Sequence, residues 1–188
     1  LRQPLEDKVV TVSRISGSLQ FPAHFLLIAA QNPCQCGFLG DIERHCTCTP
    51  FQREQYQRRV SGPLLDRIDL HVSVFPVKRE LLMADVSAET SAQVLARVHT
   101  AHALQRERFA KKPSWFLNGD MDHRSLKRFA RLDTATQKIL VEAAKKLQLS
   151  ARSFYKMIKI SRTIADLAGR SAIQEGDVLE ALQYRQMG

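Results

Sequence analysis

FLLIAAQNPCQCGFLGD, residues 25–41, and VSGPLLDRIDLHV, residues 60–72, decide how this chain is read. The first opens on a continuous apolar run, Phe25 to Ala30, that stops at Gln31-Asn32-Pro33. A short apolar run closed by a turn signal predicts a strand buried on both faces, as in a parallel sheet under helices. Asn32 then falls at the strand's C-terminal end, where open α/β sheets place their ligand crevice. The second stretch sets Arg67 ahead of an alternating run, Ile68, Leu70, Val72 and Val74, which predicts a strand with one face on the core. Between the two lie Cys34, Cys36, Cys46 and Cys48.

Working outward, Leu1 to Glu6 reads as the tail of a helix. Val9 to Val12 is β-branched, Gly17-Ser18 is a turn signal and Phe21-Pro22 ends the return arm, so a hairpin is expected. Arg14 lies on it and Lys8 at its base. Phe51 to Val60 is helical in propensity. From Glu89 to Phe109 apolar residues recur near the helical period. Lys111-Lys112-Pro113-Ser114 breaks that pattern, and the domain boundary is placed there. Beyond it only helices are expected: Asp122 to Arg131, Thr134 to Leu147 capped by Asp133, a third capped by Ser150 and closed at Gly169, and Glu175 to Tyr184. The fold class is therefore α/β plus all-α, with residues 1–110 as part of an α/β core and residues 111–188 as a helical unit.

Composition narrows the partners. The chain has 188 residues, 44% hydrophobic and 25% charged, as expected of a globular protein. No apolar stretch approaches the length of a membrane span, and no leader is legible, so a cytoplasmic location without membrane contact is expected. The net charge of +9 favours a polyanionic partner. It is uneven: residues 1–110 carry 13 basic and 11 acidic side chains, whereas residues 111–188 carry 15 and 8.

The four cysteines are spaced C-x-C-x9-C-x-C, two close pairs that can supply a tetrahedral zinc shell. Free thiols are the alternative, His45 is a possible substitute ligand, and disulfides are unexpected in a reducing compartment. The glycine-bearing loop (Gly37, Gly40) is too short and polar to pack a core alone, which argues for a metal staple.

The strings AAQNPCQCGFLGD, SGPLLDRIDLHV and SRTIADLAG resemble the ComM (YifB-type) branch of the magnesium-chelatase-like AAA+ ATPases, and the similarity runs from LRQPLE to ALQYR. The resemblance implies the C-terminal part of an AAA+ α/β core followed by a helical lid. It also implies ATP and Mg2+ as cofactors, and assembly into a homo-oligomeric, hexameric ring that couples hydrolysis to remodelling of branched DNA. No P-loop lysine followed by Ser or Thr occurs in this sequence, and no apolar strand ends in Asp-Glu, so Walker A and Walker B are missing. The piece is expected to be inactive alone.

By the same resemblance Asn32 takes the sensor-1 position, bonding the γ-phosphate or orienting the attacking water; an Asx-turn before Pro33 is the alternative. Arg67 takes the arginine-finger position, reaching the neighbouring subunit's nucleotide. The alternative is an ion pair with Asp66 or Asp69. Arg162 takes the sensor-2 position of the lid. With Arg152, Lys156 and Lys159 it forms one helical stripe about 120° wide, opposite the apolar face; Lys156 and Lys159 can equally be mere solvation. The hairpin bearing Arg14 and Lys8 would point to a central pore and touch DNA, or carry ordinary solvated charges. Two other functions stay open: a zinc-stapled nucleic-acid-binding module without motor activity, and a chelatase-type metal-insertion subunit.

Overall fold

A computed structural model describes residues 2–15, 17–77, 89–111 and 117–185. The chain divides into two compact units, Leu1–Arg79 and Glu80–Gly188.

In the first unit, helix α1 (Arg2–Asp7) runs into strands β1 (Val9–Arg14) and β2 (Gly17–Pro22). They pair antiparallel, from Val9 opposite Pro22 to Arg14 opposite Gly17. Gly17 has φ of +136°, a backbone angle costly to any residue with a Cβ, and it lets the chain reverse directly after Arg14 and Ile15. Lys8 begins the hairpin at φ +57°, its carbonyl accepting the N–H of Ala23. Helix α2 (Pro50–Gln57) starts with a reciprocal cap: Thr49 Oγ1 accepts from Gln52 N, and Gln52 Oε1 accepts from Thr49 N. Helix α3 (Gly62–Leu65) begins at Ser61 with Pro63 in its first turn.

One expectation fails. Residues 25–30 and 68–74 form neither strand nor helix, and the hairpin is the only sheet among the described residues. A strand exists only where a neighbour takes its N–H and C=O groups. No other segment among the described residues supplies that neighbour. The apolar side chains are therefore open to solvent, Leu26 and Ile28 at 83% each. What the structure shows is a mixed, mostly helical chain with a two-stranded hairpin, and among the described residues no parallel strands are formed.

The second unit is helical: α4 (Ser91–Arg108), a 3-10 turn (Asn118–Asp120), α5 (His123–Phe129), α6 (Thr134–Lys146), α7 (Ala151–Leu167) and α8 (Glu175–Gln183). Asp122, Asp133 and Ser150 each accept a backbone N–H three residues on, which fixes where α5, α6 and α7 begin. Gly169, at φ +67°, closes α7. The core gathers on α7, with Met157, Ile158 and Ala165 meeting Leu140 of α6, Leu126 of α5, and Val178 and Ala181 of α8. Helix α4 also packs on α7. Helix α4 belongs with this unit, since its Gln105 and Arg108 bond Asn118 and Asp166.

Candidate functional site

The four cysteines come together. Cys34, Cys36, Cys46 and Cys48 have all their sulfurs within 4.8 Å of one another. Cys34 lies 3.3 Å from Cys36 and 3.6 Å from Cys46, and Cys36 lies 3.6 Å from Cys46. These gaps are far beyond an S–S bond, and all four thiols are free. They suit a tetrahedron of sulfurs about a metal, whose edge for Zn–S bonds of ~2.3 Å is about 3.8 Å.

The loop builds this geometry locally. Gly37, at φ +84°, turns the chain so that its N–H meets Cys34 O at 3.1 Å. The N–H of Phe38 is the main influence holding the Cys36 thiol down at about 5, against desolvation. At Cys48 the backbone N–H of Cys36 pulls down, but burial and the neighbouring sulfurs win and raise the thiol to about 11. Four thiols this close cannot all ionise without a cation between them. A divalent metal removes that conflict. His45 is exposed and outside the cluster, so the four candidate donors are all sulfur.

Asn32 lies two residues before this cluster and is exposed. Past the cluster, Arg53 of α2 donates its Nε–H to Cys48 O at 3.1 Å, so the helix start is tied to the last cysteine.

Arg67 follows α3. Its Nε donates to Glu6 Oε2 at 2.9 Å, its Nη2 bonds the same oxygen, and its Nη1 donates to Pro63 O at 2.6 Å. The ion pair that sequence reasoning sought beside Arg67, in Asp66 or Asp69, is made with Glu6, sixty-one positions away. Nothing local could have revealed that partner. Arg14 is exposed at the hairpin tip, with Lys8 exposed at its base.

Arg162 behaves differently from expectation. It is 2% exposed, turned into the second unit. Its Nε donates to Asp166 Oδ1 at 3.1 Å, Nη1 to Ser171 O at 2.6 Å, and Nη2 to Arg170 O. Asp166, wholly buried, also takes Arg108 through two bonds of 2.6 and 2.5 Å, and the Asn118 amide at 2.8 Å. Burial pushes the Asp166 carboxyl up, but the bonds from Arg108 and Asn118 and the two guanidinium charges hold it below the usual carboxylate range. Burial pulls Arg162 below the ordinary arginine value, with Asp166 opposing. The basic stripe on α7 therefore ends before Arg162, leaving Arg152 exposed and Lys159 bonded to Gly119 O at 2.8 Å. The Arg162–Asp166 spacing of four was a legible signal for this pair.

The magnesium chelatase subunit ChlI model matches residues 1–82, and the model of its C-terminal region matches residues 88–185. The chain belongs to the magnesium chelatase ChlI family. This ChlI-family chain is 38% identical to Competence protein ComM of Haemophilus influenzae, over its whole length and 36% of that protein. It is 34% identical to the uncharacterized protein YifB of Escherichia coli, over 98% of the chain and 35% of the relative. Against the uncharacterized protein Rv2897c of Mycobacterium tuberculosis the figures are 33%, 100% and 37%. The ChlI-family chain thus spans a little over a third of the length of these curated relatives. The family is of AAA+ type. Among the described residues, no helix is long and apolar enough to cross a membrane.

Proposed function

We propose that this chain is the sensor, finger and lid portion of a cytoplasmic, ring-forming AAA+ ATPase that couples ATP hydrolysis, with Mg2+, to remodelling of branched DNA. The observation that carries it is Arg67, a guanidinium held beside α3 by Glu6 and the Pro63 carbonyl within a ChlI-family sequence. A guanidinium forks across phosphate oxygens and neutralises charge as it develops during transfer. In this reading Glu6 keeps Arg67 ordered until a neighbouring subunit presents its nucleotide. Asn32 bonds the γ-phosphate or its attacking water, and Arg14 and Lys8 bring the hairpin to DNA. Arg162 is a positioning residue: it fixes the 170–171 backbone and the end of α7 against Asp166. Without Walker A and Walker B residues, this chain by itself hydrolyses no ATP.

The four thiolates of Cys34, Cys36, Cys46 and Cys48 hold Zn2+ in this proposal. The ion's chemistry is structural: it closes the loop between Asn32 and the capped start of α2.

Mixing tests the finger. In the full-length protein Arg67→Ala should abolish hydrolysis yet leave nucleotide binding by its own subunit nearly intact. A subunit with a broken P-loop should still lend its Arg67 to a neighbour. The two inactive variants mixed in one ring should regain ATPase activity. Mixed rings that form but stay inactive, with Arg67→Ala also losing nucleotide affinity, would reduce Arg67 to a partner of Glu6.

A further inference from the structure

Four exposed cations, three on α5 and one just past it, have no part in the function just described. We propose that Arg124, Lys127, Arg128 and Arg131 form a second polyanion-binding ridge that grips the phosphate backbone of duplex DNA, in the other unit from the hairpin. The ridge rests on the DNA-remodelling reading for its choice of polyanion and adds a contact surface to it.

Geometry makes these four one feature. At about 100° per residue, Arg124, Lys127 and Arg128 fall within an arc of roughly 100° on α5. Arg131 lies just past the helix, and its Nε–H donates to Lys127 O at 3.1 Å, which returns it to the same side. Arg128 is held 5.0 Å over the Phe129 ring. Along the axis Arg124 to Arg128 span about 6 Å, the rise of about two successive phosphates on one strand, with Arg131 folded back beside them.

Charge makes the ridge more than solvation. None of the four has a carboxylate partner among the described residues. The acids nearest in sequence are directed elsewhere. Asp120 accepts from Leu117 N, Asp122 from Ser125 N and Asp133 from Thr136 N, each at a helix start. Like charges three and four apart on an exposed helix repel, and opposite charges at those spacings would have relieved the cost. Here the repulsion is left in place. A polyanion relieves it on binding, and releases counterions from DNA as it does so.

The test is the salt dependence of binding by the whole chain to a short labelled DNA duplex. Each phosphate contact contributes about 0.9 to the slope of log affinity against log salt. Replacing Arg124, Lys127 and Arg131 by Gln should therefore lower the slope by about 2.7. Between roughly 50 and 200 mM salt the fall in affinity should then be about forty-fold smaller than in the wild type. The Arg124→Lys variant, which keeps the charge, should retain the wild-type slope. Lys127→Gln alone, the mildest change, should lower the slope by about 0.9 and serves if the triple variant does not fold. A triple variant with unchanged helical signal and an unchanged slope overturns the ridge, while Arg14→Gln still weakening binding would leave the hairpin reading standing. A wild-type chain with no duplex affinity overturns both. Loss of association with an acidic protein while duplex binding is untouched would assign the ridge to a protein partner and overturn it as a DNA surface.

Discussion

Asp166→Asn removes one charge and almost no volume, and it strips the counter-ion from two guanidinium groups at once. Arg162 is sealed from water, Arg108 largely so, and both converge on this carboxylate with the Asn118 amide. Removing one partner of a buried pair costs about 3–5 kcal/mol, because a desolvated charge is left alone. With two cations stranded, the upper part of that range applies. A unit of this size has only about 5–15 kcal/mol in total. At ~4–8 °C per kcal/mol the melting point should fall by roughly 15–40 °C, read by far-UV circular dichroism on the purified chain. The carboxyl's folded pKa is depressed. Its contribution is therefore complete above the unfolded value of about 3.9 and is lost as pH falls through the folded value. The gap between wild type and Asp166→Asn should close in acid. Replacing Arg108 and Arg162 by Met together with Asp166→Leu should restore much of the loss, since concerted apolar substitution of a buried charge cluster is tolerated. A loss under about 1 kcal/mol at neutral pH for Asp166→Asn would refute the account, and so would a loss that persists unchanged in acid.

Three further outcomes are expected. The purified chain should carry about one zinc, and cobalt exchanged into the site should show the thiolate-to-metal absorption of four sulfur ligands; metal-free protein with a disulfide would rule this out. In the full-length protein Glu6→Ala should lower ATPase activity far less than Arg67→Ala, for which about 10³-fold or more is expected; equal losses would show that Arg67 works only through Glu6. Asp133→Ala should cost roughly 0.5–2 kcal/mol by removing the cap of α6, and urea melts that match the wild type would deny the cap its role.

What could be read from the sequence was local. Asp133, Ser150 and Gly169 mark helix ends because each acts on backbone within a few residues, and the structure puts all three where the pattern does. The hairpin was legible from β-branched residues and a glycine turn, and the C-x-C pairs from spacing alone. Arg162 misled because helical periodicity counts faces, and on that count arginine is polar. Its own partners, Asp166 and the 170–171 carbonyls, lie within nine positions, but Asp166 also gathers Arg108 and Asn118 from more than forty positions away, which no window can see. Glu6 was invisible for the same reason. The runs 25–30 and 68–74 have the composition of strands, but composition cannot supply the neighbour that makes a strand.

Those runs shape how the molecule behaves among its own copies. Leu26, Ile28, Val72, Val74 and Phe75 stand exposed on segments free of secondary structure. Their backbone joins no sheet among the described residues, and β-prone backbone of that kind is a template on which another chain can align. Opposing this is the charge of +9, which keeps copies apart over a distance set by salt. Raising the ionic strength from about 0.01 to 1 M shrinks that distance from ~30 to ~3 Å. Solubility of the isolated chain is thus a contest between a screened repulsion and an unscreened attraction, and concentrated, salty solutions tip it toward association.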